Sequence, residues 1–143
     1  ISGHALELCE MHKKEHKLKN FETIEADLFV WLTEKREEKF DMVIMDPPAL
    51  MKSHKDKEHA QKAYHFINRA AMRLVNDEGI FISSSCSQYF SEEELLMTLR
   101  RGSVQNNKVL KLLEIVRQSP DHPISVYFPE SSYLKSAVCL VNP

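Results

Sequence analysis

The chain has 143 residues, of which 43% are hydrophobic and 28% are charged, and its formal net charge at pH 7 is −2. This length and composition predict one globular domain, and the small negative charge excludes a chain-wide basic surface for nucleic acid. No apolar run approaches the length of a membrane span, and no secretory signal is visible.

The three cysteines, Cys9, Cys86 and Cys139, are widely separated in the sequence and odd in number. They show neither CxxC spacing nor the pattern of a disulfide framework. Such cysteine usage favours a reducing, cytoplasmic compartment.

Hydrophobic periodicity and turn residues predict alternating helices and strands. In chain order they are a helix over residues 3–18, a short strand that leads into a loop over 21–29, a helix over 29–39, a strand over 41–46, a helix over 57–76, a strand over 79–87, a helix over 91–101, and strands over 108–119 and 136–142. A loop rich in proline and aromatic residues is expected over 120–135. The run DMVIMD at 41–46 is almost wholly apolar, which is typical of a strand buried on both faces.

Two local patterns refine these boundaries. Gly79, in the sequence NDEG, is expected to adopt a left-handed conformation and to stop the helix before it. Ser91 and Glu94 have the spacing of a capping box, which predicts the start of a helix at this point.

Strands that alternate with helices predict an α/β fold with a mainly parallel sheet. The last two strands have no long helix between them, so one of them is expected to run antiparallel at the edge. Ligands of such sheets bind at the carboxyl ends of the strands. Those ends are expected to present Asp27, the segment Asp46-Pro47-Pro48 and the segment 85–87, SCS, around Cys86. The sequence therefore predicts a reactive site at one edge of the sheet.

Each of these segments has a purely structural alternative. Asp27 could cap the following helix. The two prolines after Asp46 fix the backbone and could form nothing more than a rigid strand exit. Cys86 could be a small buried apolar residue.

Four basic residues follow the prolines, namely Lys52, His54, Lys55 and Lys57. They could contact RNA phosphates, with Lys52 as the first candidate for binding substrate, or they could form a solvated loop.

The segment 12–16, HKKEH, matches the HxxEH spelling of some zinc proteases. It lies among lysines on the polar side of a short helix, so a solvated charged face is expected there and no metal site.

Three segments, FDMVIMDPPALMKS, GIFISSSCS and DHPISVYFPESSYLKSAVCLV, resemble the bacterial 23S rRNA cytosine-5 methyltransferases. More closely, the chain resembles the type that joins an N-terminal PUA RNA-binding domain to an S-adenosylmethionine (SAM) methyltransferase domain. The resemblance implies a Rossmann-like class I SAM-dependent methyltransferase fold, mainly parallel, with an antiparallel last strand. It also implies Cys86 as the nucleophile, Asp46, Pro47 and Pro48 as the lining of the target-base pocket, and Asp27 as the acid that contacts the adenine of SAM. Asp46 would border the cofactor as well.

The family's first strand, its glycine-containing cofactor loop and the acid that holds the ribose hydroxyls have no counterpart in this sequence, and neither has the PUA domain. Residues 1–143 are therefore expected to be the C-terminal part of the methyltransferase domain and to be inactive alone.

The resemblance implies that the full protein forms 5-methylcytosine in 23S rRNA through a covalent bond between cysteine and C6. The sequence leaves the oligomeric state open, a homodimer included. One alternative is an amino-methyltransferase, whose DPP-type motif usually continues with an aromatic residue where this chain has Ala49. The other alternative is a non-catalytic RNA-binding or dimerisation module of the same fold.

Overall fold

The computed structural model describes residues 2–34, 37–51 and 53–143, and of His54 the backbone alone. The chain divides into two compact units, Ile1–Lys35 and Arg36–Pro143. Within the described ranges, no helix is both long and apolar enough to cross a membrane.

The first unit contains helix α1 (Gly3–Glu15) and a single helical turn, α2 (Leu28–Trp31). Residues 21–27 form no strand, so the strand predicted there is wrong. A strand needs the backbone hydrogen bonds of a neighbour, whereas this segment is tied to α1 through a side chain, since the Thr23 hydroxyl donates to Glu10 over 2.8 Å. The helix predicted over 29–39 is likewise cut short. The Thr33 hydroxyl donates to the Val30 carbonyl over 2.6 Å, a local bond that competes with helix continuation.

The second unit is a four-stranded sheet with two long helices. Its strands are β1 (Phe40–Met45), β2 (Val75–Ser85), β3 (Val109–Val116) and β4 (Lys135–Asn142). Its helices are α3 (Lys57–Met72) and α4 (Glu92–Gln105), with short 3-10 turns at His54–Asp56 and Pro129–Ser131. These elements confirm the predicted helices and strands of this part of the chain, apart from shifts at their ends.

The strand order is β1-β2-β4-β3. β1 and β2 are parallel, and β4 is antiparallel to both of its neighbours. The expected antiparallel strand is therefore present, but it lies inside the sheet rather than at its edge. As a consequence, the start of β4 meets the carboxyl end of β2.

The apolar strand β1 is not buried on both faces, so that prediction is wrong. Val43 and Met45 pair with Phe81 and Ser83 of β2, on the face that α3 covers. On the opposite face Met42 is 51% exposed and Ile44 is 60% exposed. β1 is an edge strand with one covered face, so three of its five apolar side chains are exposed.

Gly79 does not cap α3 in a left-handed conformation, contrary to the prediction. α3 ends at Met72, β2 already begins at Val75, and the positive φ of this region, 62°, belongs to Glu78. The role of Gly79 is close packing. An added Cβ would lie 2.9 Å from the Asp41 carbonyl oxygen and 2.8 Å from a methyl group of Val75, which real Cβ atoms do not tolerate.

The capping box at the start of α4 is confirmed. The Glu94 amide donates to the Ser91 hydroxyl over 3.1 Å, and the Ser91 amide donates to the Glu94 carboxylate over 2.8 Å. Two of the helix's otherwise unpaired N–H groups are thereby satisfied.

Candidate active site

Asp46 is the first residue after β1, and its side chain is exposed. Pro47, which follows it, is buried, and Pro48 is exposed. Neither proline offers a backbone N–H, and each fixes its own φ. The exit of β1 is therefore a rigid ledge that has a carboxylate at its start and presents carbonyl acceptors.

Cys86 follows the last residue of the neighbouring strand, β2, and its free thiol is half-buried. Met45 is the register partner of Ser83, so Asp46 and Cys86 leave adjacent parallel strands in the same direction. Continued past the strand ends, this register would place Asp46 opposite Ser84, two residues before Cys86, at the same edge of the sheet.

A buried tyrosine of α3 fixes the exit of β2. The Tyr64 hydroxyl and the Ser85 hydroxyl lie 2.9 Å apart, and Ser85 also accepts a hydrogen bond from the Ser87 amide at 3.3 Å. The Tyr64 ring stacks on Phe90, with ring centroids 4.3 Å apart. Burial raises the pKa of Tyr64, so its hydroxyl stays neutral. The backbone on both sides of Cys86 is held by these contacts.

The two motif loops are also joined to each other. The Ser87 hydroxyl donates to the carbonyl of Met51, a fully buried residue of the loop that begins with Asp46. This bond links the loop after Cys86 to the loop after Asp46.

The serines that precede Cys86 have internal partners of their own. The Ser83 hydroxyl donates to Asn68 over 2.6 Å, and Asn68 donates to the Tyr64 carbonyl over 2.9 Å. The Ser84 and Ser136 hydroxyls lie 2.7 Å apart. Buried hydroxyls that are satisfied in this way are structural, and Cys86 stays the candidate nucleophile of the segment.

Lys135, the first residue of β4, lies under the same loop. It is 5% exposed, and its ammonium donates to the Ser87 carbonyl over 2.7 Å and to the Phe90 carbonyl. Burial lowers the pKa of Lys135. Its register partner is Ser85, so the lysine stands beside the residue that precedes the thiol.

A cavity of about 410 Å³ opens beside the Cys86 loop. It is lined by residues 88, 89 and 91 on one side and by residues 129, 130 and 132 on the other. Near it, the turn Ser125–Phe128 is closed by an N–H···O bond of 3.2 Å and presents Tyr127, which is 96% exposed.

Asp27 belongs to the first unit, where it is the N-cap of α2. Its carboxylate accepts from the amides of Phe29 and Val30 over 2.9 and 3.3 Å, so the capping alternative is realised. An apolar cavity of about 210 Å³ lies directly beside it, lined by Ile24, Ala26, Leu28 and Trp31. This volume is below the roughly 300 Å³ at which pockets for whole drug-sized ligands begin, and suits a single ring system.

The predicted basic segment is described only in part. Lys52 lies outside the described residues. Lys55 is exposed, and the Lys57 ammonium pairs with Glu94 over 2.6 Å. Contact with RNA phosphates stays a prediction for these residues.

The HKKEH segment lies on α1. Ligand atoms of His12, Glu15 and His16 lie within 4.8 Å of one another, and all three side chains are exposed. The histidine rings are parallel, with centroids 6.0 Å apart. Exposed side chains without a surrounding shell lack the fixed orientation of a zinc site.

Sequence reasoning missed the supporting roles of Tyr64 and Lys135. Tyr64 lies in the helix predicted over 57–76 and Lys135 in one of the three quoted segments, and neither was expected to support the site. Their contacts span 21 and 48 residues along the chain, a distance that local periodicity does not register.

The chain matches the family model described as "Methyltransferase domain" over residues 1–127. It is 35% identical, over 96% of its length, to ribosomal RNA large subunit methyltransferase I of Tolumonas auensis, and 33% identical, over 93%, to that of Vibrio campbellii. It spans 36% and 34% of these two relatives.

Two solved structures share the fold. The crystal structure of SMU.776 complexed with SAH matches 97% of this chain and 37% of that one, with a TM-score of 0.79 and 20% identity. The crystal structure of NSun6 from Pyrococcus horikoshii with SFG matches 97% of this chain and 39% of that one, with a TM-score of 0.63 and 15% identity. These likenesses and the mixed sheet confirm the expected Rossmann-like methyltransferase fold. The chain belongs to the methyltransferase-domain family.

Proposed function

We propose that this chain is the C-terminal catalytic part of a SAM-dependent RNA methyltransferase that forms 5-methylcytosine in large-subunit ribosomal RNA. The observation that carries the proposal is the thiol of Cys86 at the exit of β2, beside Asp46 at the exit of the adjacent parallel strand. The names of the relatives from Tolumonas auensis and Vibrio campbellii supply the class of RNA.

Cytosine C5 is a weak nucleophile, which explains the need for a thiol. Attack by the Cys86 thiolate forms an Sγ–C6 bond and makes C5 electron-rich. The electron-rich C5 would then bond to the methyl group that SAM supplies, as the bond between that methyl and the donor sulfur breaks and its electrons stay on the sulfur. A base would remove the C5 proton, and the electrons of that C–H bond would restore the ring double bond as the Sγ–C6 bond breaks. The thiolate is regenerated, so Cys86 acts catalytically.

Asp46 and the prolines would hold the base. The Asp46 carboxylate would hydrogen-bond the ring edge and stabilise the protonated ring as C6 is attacked. The carbonyl groups of Pro47 and Pro48 can accept from the exocyclic amine of cytosine, which uracil lacks. The target nucleotide must leave its stack to reach this ledge.

The residues around Asp27 fit the adenine part of SAM. The apolar cavity of about 210 Å³ beside Asp27 could take the adenine ring, with the carboxylate accepting from the exocyclic amine. SAM supplies an electrophilic methyl group when bound.

The test is a map of 5-methylcytosine in ribosomal RNA from cells with and without the gene. We expect one large-subunit position to lose the modification, to regain it with the wild-type gene and not to regain it with Cys86→Ala. An unchanged map would overturn the proposal. Loss of an N-methylated base instead would favour the amino-methyltransferase alternative.

A further inference from the structure

Lys135 is a buried cation at the candidate nucleophile. It is 5% exposed and is the Cα partner of Ser85, the residue before Cys86. Its ammonium donates to the carbonyls of Ser87 and Phe90, in the loop that follows Cys86. One side chain thereby ties both ends of the loop after Cys86 to the start of β4.

Two carbonyl groups hold the ammonium but do not neutralise its charge. A buried lysine is costly unless a negative group faces it. The charged and titratable groups that influence Lys135 are Cys86, Arg117, Glu94 and Glu92.

The two carboxylates of α4 already have cations of their own. Glu92 pairs with Arg117 over 2.6 Å, and Glu94 pairs with Lys57 over 2.6 Å. Of these four groups, Cys86 is the remaining one that can become an anion, and it lies next to the residue paired with Lys135. A thiolate at Cys86 would therefore complete the local charge balance.

We propose that Lys135 is a positioning residue of this site, whose hydrogen bonds hold the Cys86–Phe90 loop and whose buried charge favours the thiolate form of Cys86. The proposal deepens the proposed function and rests on it for the role of Cys86. Lys135 acts through Cys86 and need not touch the substrate.

The test is the pH dependence of Cys86 alkylation by iodoacetamide in the full-length protein, read by mass spectrometry of the Cys86 peptide. Lys135→Gln keeps a hydrogen-bond donor without the charge, and Lys135→Met keeps the approximate volume without either. Both are expected to move the alkylation profile to higher pH by at least about one unit. Methyl transfer at pH 7 should fall at least about tenfold and recover partly at higher pH, with SAM affinity unchanged.

Two further variants separate charge from packing. Lys135→Arg retains the charge and should restore most of the wild-type alkylation profile. Lys108→Gln removes another largely buried lysine, which pairs with Asp77 near the opposite end of the sheet, and should leave the profile unchanged.

Alkylation profiles of Lys135→Gln and Lys135→Met that coincide with the wild-type profile would overturn the proposal. Loss of cooperative unfolding in all three Lys135 variants would also overturn it, because the lysine would then be needed for folding as a whole. Alkylation requires neither RNA nor SAM. A shifted profile combined with an active Cys86→Ala enzyme would therefore reject the proposed function while supporting the effect of Lys135 on the Cys86 thiol.

Discussion

The ammonium nitrogen of Lys135 lies 2.7 Å from the carbonyl oxygen of Ser87, across a separation of 48 residues in the chain. This contact exists because β4 runs antiparallel beside β2 and begins where β2 ends. The strand order thus brings a buried cation to the loop of the candidate nucleophile. Asp46 arrives at the same edge by the parallel pairing of β1 with β2.

Asp46→Asn should lower methyl transfer by roughly a hundredfold, because the amide keeps the shape of the side chain and loses the charge that favours a protonated ring. Turnover at saturating SAM, measured on a ribosomal RNA substrate, checks this. Asp41→Asn is the matched control, since it lies near the other end of β1, where its carboxylate accepts from Asn76 over 2.8 Å. Normal turnover together with weak SAM binding would assign Asp46 to the cofactor instead.

Asp27→Asn should weaken SAM binding by about tenfold, the scale of one hydrogen bond to a charged group. Asparagine is as good an N-cap as aspartate, so the start of α2 should be preserved. Calorimetry on the full-length protein measures the affinity, with Asp56→Asn at the N-cap of α3 as control. Unchanged affinity would leave Asp27 with its capping role alone.

Gly79→Ala should destabilise the protein by roughly 1–3 kcal/mol, because the new methyl group would collide with the Asp41 carbonyl and the Val75 side chain. Thermal unfolding measures the effect. Gly3→Ala is the control, since the nearest atom to its added Cβ, a Glu25 oxygen, lies at 3.6 Å, an ordinary contact. Equal melting temperatures for Gly79→Ala and wild type would show that β1 and β2 can separate without cost.

Because the Cys139 thiol is buried, we expect the protein to lose stability at alkaline pH. Burial raises the pKa of this thiol from 9.0 to about 11, so the folded protein holds the proton more tightly than the unfolded chain. The protonated thiol contributes its full share to the free energy of unfolding below pH 9. That share is lost as the pH rises from 9 through 11, and the loss amounts to about 2 kcal/mol at pH 11. Urea unfolding from pH 8 to 11 should therefore show a steeper loss in wild type than in Cys139→Ala. Parallel curves would contradict the assignment.

Sequence patterns predicted correctly those elements that are determined by interactions between residues close together in the chain. The Ser91–Glu94 capping box and the apolar periodicity of α3 depend on residues within a few positions of each other. The strand predicted within 21–29 and the predicted burial of Met42 and Ile44 are wrong, because both depend on what packs or pairs with the segment rather than on its own composition.

The candidate site divides in the same way. The positions of Asp46 and Cys86 at the ends of two strands could be predicted, because each follows a strand that the sequence pattern indicates. Tyr64 and Lys135 could not, because their roles follow from the position of α3 over β2 and from the place of β4 inside the sheet.

Covalent capture at Cys86 tests the central claim most directly. Ribosomal RNA carrying 5-fluorocytosine at the target should form a stable adduct with the full-length protein and SAM, because fluorine cannot leave C5 as a proton does. Mass spectrometry should locate the RNA on Cys86, Cys86→Ala should form no adduct, and Cys9→Ala should form it normally. An adduct on Cys9 or Cys139, or full methyl transfer by Cys86→Ala, would contradict the account.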